Sequence, residues 1–314
     1  MSRYSDLINR AQQGECILID GATGTEVERR GVPQLDNAWN GGGALSHPEI
    51  VKQIHKDYIE SGAEIIISNT FATTKHALRD ANQEHNFEAL NRRGVELAFQ
   101  AREDLDSNNI LVAGGISYWT WTGNKPSLEE LRLSVSEQAQ IMRDAGADLI
   151  MLEMMIDIEQ MITTIEAAQS SGLPVWVGLT CEPNKSNGMC LRDGDRLETV
   201  INAIKPYNPD VVSIMHTEVE FVDRCLEILQ SQWSGLIGVY AHSGKSVNGE
   251  WTFNNVISTQ DYCEYSAQWK KATLRRTKSM QRPGLLTQLE WGVLDPPHQL
   301  LFFLACLNFR LQSM

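Results

Sequence analysis

The sequence predicts an α/β protein built as a (β/α)8 TIM-type barrel, and three features carry that expectation. Apolar, β-branched runs of strand length recur at 16–19, 64–67, 110–113, 149–152, 175–178, 211–214 and 236–239. Apolarity within each run is continuous rather than alternating, as in parallel strands buried on both faces. Between the runs lie amphipathic helical patterns that stop at a glycine. Residues 48–61 open with Pro48, place Ile50, Val51, Ile54, Tyr58 and Ile59 along one stripe, and give way at Gly62 to the next run. The same helix, glycine, strand order recurs at Gly146 and Gly172. Seven or eight such units over about 270 residues fit a barrel, whose usual size is about 250 residues. An open doubly wound sheet is the weaker alternative, because no GxGxxG opens a helix after the first run. The eighth strand is in doubt, with 284–289 and 300–304 the segments available for it.

Composition narrows the function classes. The chain carries a net charge of −13, which repels nucleic acid and anionic membrane surfaces, so neither is an expected partner. No apolar run approaches the roughly 18 residues of a membrane span, and the opening MSRYSDLINRAQQGE has no apolar secretory core, so a cytoplasmic location is expected. Cys16, Cys181, Cys190, Cys225, Cys263 and Cys306 are far apart without CxxC spacing and read as free thiols. Charge is uneven along the chain: residues 1–270 hold 21 basic against 38 acidic side chains, residues 271–314 hold 6 against 2. A barrel domain over 1–270 and a divergent C-terminal tail over 271–314 are the expected organisation.

In a barrel, chemistry belongs at the C-terminal strand ends. The first run leads into Asp20-Gly21-Ala22-Thr23-Gly24-Thr25-Glu26, either a plain glycine-rich turn or a loop whose N–H groups approach a ligand closely. The second ends at Ser68-Asn69-Thr70-Phe71, the third at Gly114-Gly115-Ile116-Ser117. The fourth ends in Glu153, a lone carboxylate among Leu152, Met154 and Met155, which must be paired or face a polar cavity. Cys181, His216 and His242 end the next three runs. Thiolate and imidazole suit zinc, and strand ends around one mouth can converge on one ion. The alternative is a small apolar packing role for Cys181 and hydrogen-bonded histidines at the mouth.

Together these segments resemble the homocysteine S-methyltransferase family, including its betaine- and S-methylmethionine-dependent members. Residues 18–26 are similar to the family's DGxxGTxL opening, with Arg30-Gly31 at the family spacing. His47-Pro48-Glu49-Ile50-Val51, His55, Tyr58, Gly62-Ala63 and Ser68-Asn69-Thr70-Phe71 resemble its HPExV…H.dYl.AGAdiitTNTF segment. Leu152-Glu153, Gly238-Val239-Tyr240, Ser243-Gly244 and Tyr265 through Trp269 continue the likeness over roughly residues 16–270. The resemblance implies a (β/α)8 barrel that transfers a methyl group from a small donor to the zinc-activated thiol of homocysteine, giving methionine. It implies that Asp20 and Glu153 hold the amino acid part of homocysteine, within a substrate-binding set of Asp20, Gly21, Thr25, Asn69, Thr70 and Glu153. The chemistry is coherent: a free thiol with pKa near 8.5 is mostly protonated at neutral pH, and zinc deprotonates it.

Departures from the family pattern fall on the metal. The family's strand-six Cys corresponds to His216, and a strand-seven position commonly Asn is His242. The GGCCG Cys pair is absent, since Ala272-Thr273-Leu274-Arg275-Arg276 follows Trp269-Lys270-Lys271 and only Cys306 remains downstream. Three explanations stand: an altered reading frame or replaced end, favoured because motif and charge change at one point; a true divergent end with zinc on Cys181, His216 and His242; or a barrel that binds its small molecule without turnover, having lost the metal.

Overall fold

Each apolar run forms a parallel strand, and the strands close into a barrel. In this computed structural model the described residues are 2–186, 188–242, 245–247, 250–252, 257–280 and 285–288. The barrel strands are β1 (Ile17–Ile19), β2 (Ile65–Ile67), β3 (Leu111–Ile116), β4 (Leu149–Met155), β5 (Val175–Leu179), β6 (Val211–Glu218), β7 (Leu236–His242) and β8 (Leu285–Gln288). Every neighbouring pair is parallel, and the ring is closed by β8, which pairs with β1 (Leu18 opposite Thr287) and with β7 (Leu286 opposite Gly238). The doubtful eighth position is therefore taken by the first of the two segments anticipated, and 300–304 lies outside the described residues. The helix Thr259–Met280 runs without a break through residue 270.

Local chemistry sets the helices between strands. Pro48 occupies the first turn of Pro48–Glu60, where no N–H is needed. Ser127 and Glu130 exchange side-chain and backbone hydrogen bonds as a capping box for Leu128–Asp144. Gly62, Gly146 and Gly172 take φ of +101°, +100° and +77° just before strands, a region costly for residues with a Cβ.

The barrel interior is solid below its mouth. Ile17 and Ile19, Ile65 and Ile67, Leu111 and Ala113, Leu149 and Met151, Trp176, Val211 and Met215, and Leu236 and Tyr240 pack into one inner cluster with Leu7 and Ala11. Leu7 and Ala11 belong to the N-terminal helix Arg3–Gln12, and Trp176 Nε1–H donates to Tyr4 Oη at 3.0 Å on the same helix. A separate, larger apolar layer lies between the strands and the surrounding helices. Among the described residues this inner cluster fills the lower barrel, which leaves the strand C-terminal end as the place for a ligand.

Two of those ends carry a bulge. Leu152 and Met155 pair with Val177 and Leu179, leaving one extra residue on β4, and Met154 adopts φ +59°. Met215 and Glu218 pair with Tyr240 and His242, leaving one extra residue on β6, and His216 adopts φ +48°. Non-glycine residues pay about 1–3 kcal/mol for such conformations, which concentrate where a side chain must be re-aimed. Among the described residues no helix is long and apolar enough to cross a membrane, and the described cysteines are free thiols.

Candidate active site

The floor of the mouth is acidic. Asp20 directly follows β1 and is fully buried. Its Oδ2 accepts the Ile67 N–H at 2.7 Å, and its Oδ1 is buried without a well-formed hydrogen bond. Burial, reinforced by the charge of Glu153, lifts its carboxyl well above the ordinary range, against the Ile67 N–H, which favours ionisation. Glu153 lies on β4 beside the bulge, 5% exposed, and burial pushes its pKa up to about 8. Gly115 on β3 makes room for it: a Cβ there would run into Glu153 Oε1 and come within 2.9 Å of Ile67 Cγ2. The charge of Glu153 adds to the rise at Asp20, and among the described residues neither carboxyl is paired with a cation, an arrangement whose chemistry suits an ammonium group.

The neighbouring predicted residues divide by role. Thr70 spends its hydroxyl on the Gly115 carbonyl at 2.8 Å and on the Ser68 hydroxyl at 2.7 Å, which ties the end of β2 to β3. Asn69 is buried and donates through Nδ2 to the Asn40 carbonyl at 3.2 Å, pinning the segment after β1. Gly21 is buried, and its carbonyl accepts the Thr23 N–H at 2.8 Å as the chain turns into the helix Thr23–Arg29. Thr25 is half-buried on that helix. Glu26, one residue on, is bound to Arg29 and Arg30, and Arg30 reaches on to Asp57 at 2.5 Å, so this helix is clamped to Pro48–Glu60.

Across the mouth stand aromatic rings and two imidazoles. His216 packs against Phe71, Tyr240 and His242 with ring centroids 6.0, 5.4 and 5.9 Å away. Its Nε2 is buried with no hydrogen-bond partner among the described residues. Burial holds His216 at a pKa of about 4. His242, depressed by burial and then by the charges of His216 and Arg192, is held at about 3. Both rings are neutral at physiological pH, the state in which imidazole binds a metal or accepts a proton.

Cys181 is not brought to this pair. Its N–H donates to Thr217 Oγ1 at 2.9 Å, and its side chain joins Cys225 of the helix Val219–Gln232 in the layer outside the strands. Contact with the Cys225 thiol, then burial, pushes the Cys181 thiol well above its usual range. Among the described residues no group of three or more His, Cys, Asp or Glu side chains is placed to hold a metal ion. Two imidazoles do not make the three-ligand set of a catalytic zinc, so the described residues do not fit that ion.

Sequence reasoning missed the lip of the mouth. The segment after β3 is tied down by Tyr118, whose Oη accepts the Ile156 and Asp157 N–H groups at 2.7 and 3.1 Å, and by Thr122 Oγ1 donating to Asp80 at 2.6 Å. It carries Trp119 and Trp121, and Phe71 meets Trp121 edge-on at 6.3 Å. After β5 a hairpin, Cys181–Pro183 with Met189–Leu191, delivers Arg192 over the Trp119 ring at 5.2 Å. The only signal for these residues was their position in βα loops that line a barrel mouth.

Comparison with known proteins agrees with this architecture. Residues 17–277 match the family model described as homocysteine S-methyltransferase. The selenocysteine methyltransferase of Astragalus bisulcatus is 26% identical over 294 residues, covering 82% of this chain and 86% of that protein. Homocysteine S-methyltransferase 2 of Arabidopsis thaliana is 26% identical over 295 residues, covering 83% and 87%. The metallated form of the homocysteine methyltransferase MmuM from Escherichia coli superposes with a TM-score of 0.72 at 22% identity, covering 91% of this chain and 94% of that one, and shares the fold. With most of its length matched by the family model, this chain belongs to the homocysteine S-methyltransferase family.

Proposed function

We propose that this chain binds homocysteine in the barrel mouth and methylates its sulfur to give methionine, using a small methyl donor in the cytoplasm. The observation that carries the reading is the buried Asp20–Glu153 pair at the ends of β1 and β4, two carboxyls on the floor of one mouth that have no cation partner among the described residues. An ammonium group between them restores their ionised forms, and the sulfur then points toward the Phe71, His216 and Tyr240 side. There it attacks the donor's methyl carbon: the new S–C bond forms, the old methyl bond breaks with its electron pair leaving on the donor, and the thiol proton passes to solvent. Such a displacement needs alignment more than acid–base help, which a rigid floor and a packed aromatic wall supply. Gly21, Thr25, Asn69 and Thr70 complete the substrate-binding set, the last two by holding the strand ends in place rather than by offering free groups.

The test is calorimetric titration of homocysteine into the full chain and into Asp20→Asn and Glu153→Gln. Both substitutions weaken binding while leaving the fold intact by circular dichroism; unchanged affinity in both overturns the reading. A second reading, an amino acid-binding barrel without turnover, is favoured by one observation: of three candidate ligands, only His216 and His242 come together. We propose on that ground that zinc is held weakly or not at all. Metal analysis of the purified chain, with methionine production assayed from S-methylmethionine, betaine and S-adenosylmethionine, separates the two readings.

A further inference from the structure

We propose that Tyr118, a buried tyrosine just past the end of β3, is the positioning residue for Glu153: its hydroxyl clamps the chain that leaves the β4 bulge and so fixes where Glu153 is aimed. The proposal rests on the reading of Glu153 as an ammonium-binding carboxyl and adds the residue through which the barrel holds that carboxyl in place.

The end of β4 is backbone that has to be held. Leu152 pairs with Val177 and Met155 with Leu179, so β4 carries one residue in excess, and Met154, directly after Glu153, takes φ +59°. A methionine in that region is strained and persists only where its surroundings fix it. Before Glu153 the register does the fixing, with Leu152 opposite Ile116 of β3 as well as Val177 of β5. After the bulge, the carbonyls of Met155 and Ile156 accept the Thr180 and Asp193 N–H groups at 3.1 and 3.0 Å. The N–H groups on that side are held by Tyr118. Its Oη accepts the Ile156 N–H at 2.7 Å and the Asp157 N–H at 3.1 Å, and donates to the Asp157 carbonyl at 3.3 Å. Two accepted hydrogens and one donated are the full capacity of a phenolic hydroxyl, so the group is wholly spent on this turn.

The clamp comes from a rigid source. The Tyr118 side chain is 1% exposed in the layer between strands and helices, and burial raises its hydroxyl well above the ordinary range, which keeps the donated hydrogen in place. Its neighbour Trp119 is fixed too, by its N–H to Ser117 Oγ at 3.1 Å and by His76 Nε2 to its carbonyl at 3.1 Å. Three residues before Tyr118 stands Gly115, where a Cβ would run into Glu153 Oε1. One strand end therefore does both jobs: Gly115 leaves room for the carboxyl, and Tyr118 holds the backbone that carries it.

The experiment is a double-mutant cycle on the full chain with Tyr118→Phe, Glu153→Gln and the two combined, read by calorimetric titration of homocysteine and by melting temperature at pH 8.5. Tyr118→Phe keeps the ring and removes the clamp. If Tyr118 acts through Glu153, the substitution weakens homocysteine binding at least about fivefold in the wild-type background and less than about twofold when Glu153 is already Gln. An equal loss in both backgrounds, or no loss in the first, overturns the proposal. The second readout needs no ligand. Glu153→Gln relieves the penalty of a buried carboxylate and raises the melting temperature at pH 8.5; in the Tyr118→Phe background that gain shrinks, because a released Glu153 side chain reaches water. The Asp20 carboxyl is present in all four proteins and cancels from the comparison. A gain of the same size in both backgrounds makes Tyr118 a residue of the fold alone and overturns the proposal. Should Tyr118→Phe fail to fold, all four proteins are measured in sucrose, which favours the folded state, and failure there also overturns it. If the wild-type protein does not bind homocysteine, the function proposed above fails, while the melting temperatures still judge Tyr118.

Discussion

Asp20 and Glu153, on the β1–β4 side of the mouth, meet the demands of their proposed ligand; His216 and His242, on the β6–β7 side, do not meet those of a metal. On the first side two carboxyls are buried, the charge of Glu153 adds to the rise at Asp20, and Gly115 leaves room for Glu153. On the second, two neutral imidazoles stand together while Cys181 packs outside the strands against Cys225. On the reading proposed above, holding the amino acid and activating its sulfur are separate tasks, assigned to separate strands of one barrel. One can be complete where the other is altered.

The comparison is broken most directly at Glu153. Glu153→Gln keeps the shape of the side chain and removes the charge that an ammonium would pair with. Charge-assisted hydrogen bonds contribute about 1.5–3 kcal/mol, so homocysteine affinity falls roughly 10- to 150-fold by titration calorimetry. The same variant has the opposite effect on the ligand-free protein. A carboxyl whose native pKa is about 8 binds its proton more tightly folded than unfolded, so it destabilises the native state as pH rises from the unfolded value near 4.5, fully above 8. Glu153→Gln removes that penalty, and its melting temperature exceeds wild type at pH 8.5 but not at pH 4. A fall in melting temperature at pH 8.5 would show that Glu153 has a structural partner.

Ligand affinity sharpens the same point from the other direction. A cation is bound by the ionised pair, so each pH unit below about 8 costs up to roughly tenfold in affinity, and the dependence flattens above it. Methionine is the suitable probe, because its thioether does not titrate. Titrations between pH 6 and 8 in buffers of different ionisation enthalpy should show proton release on binding; pH-independent affinity would mean that the pair is not the ammonium site.

A smaller effect is expected at Gly115→Ala. The added methyl meets Glu153 Oε1 and Ile67, and overpacking of this kind costs about 1–3 kcal/mol. Displacing Glu153 also lowers homocysteine affinity, whereas Gly114→Ala, whose Cβ would meet Met142 Sδ and Ile150 Cδ1, lies on the helix side and lowers stability alone.

How much of this was legible in the sequence follows from what sequence carries. Continuous apolar runs announced the strands because both faces of each are buried, and Gly62, Gly146 and Gly172 announced helix ends because only glycine takes that φ without strain. Asp20 and Glu153 were legible as charges where no charge belongs. The bulges were not, because an extra residue on β4 or β6 exists only relative to the register of the neighbouring strand. For the same reason β4 and β6 extend past the predicted 152 and 214, to Met155 and Glu218, taking Glu153 and His216 into the strands. Cys181 stood at a strand end in sequence, yet which way its thiol turns depends on Thr217 and Cys225, 36 and 44 residues on. Arg192 sits in a polar stretch, Arg192-Asp193-Gly194-Asp195-Arg196, that reads as a turn.

The smallest expected effect tests the metal side. If Cys181 is a packing residue, Cys181→Ala removes one sulfur from the layer shared with Cys225 and costs on the order of 1 kcal/mol of stability, with homocysteine affinity unchanged. Zinc content, measured by atomic emission on the purified full chain, is likewise unchanged, because the Cys181 side chain packs with Cys225 in the layer outside the strands. His216→Ala is the paired control, since its Nε2 is buried with no hydrogen-bond partner among the described residues. About one equivalent of zinc lost in both variants would put Cys181 and His216 on one ion, restore a three-ligand centre with His242, and erase the contrast between the two sides of the mouth. Zinc reduced in His216→Ala but not in Cys181→Ala would instead leave the histidine pair as the remnant of a metal side whose third ligand is not Cys181.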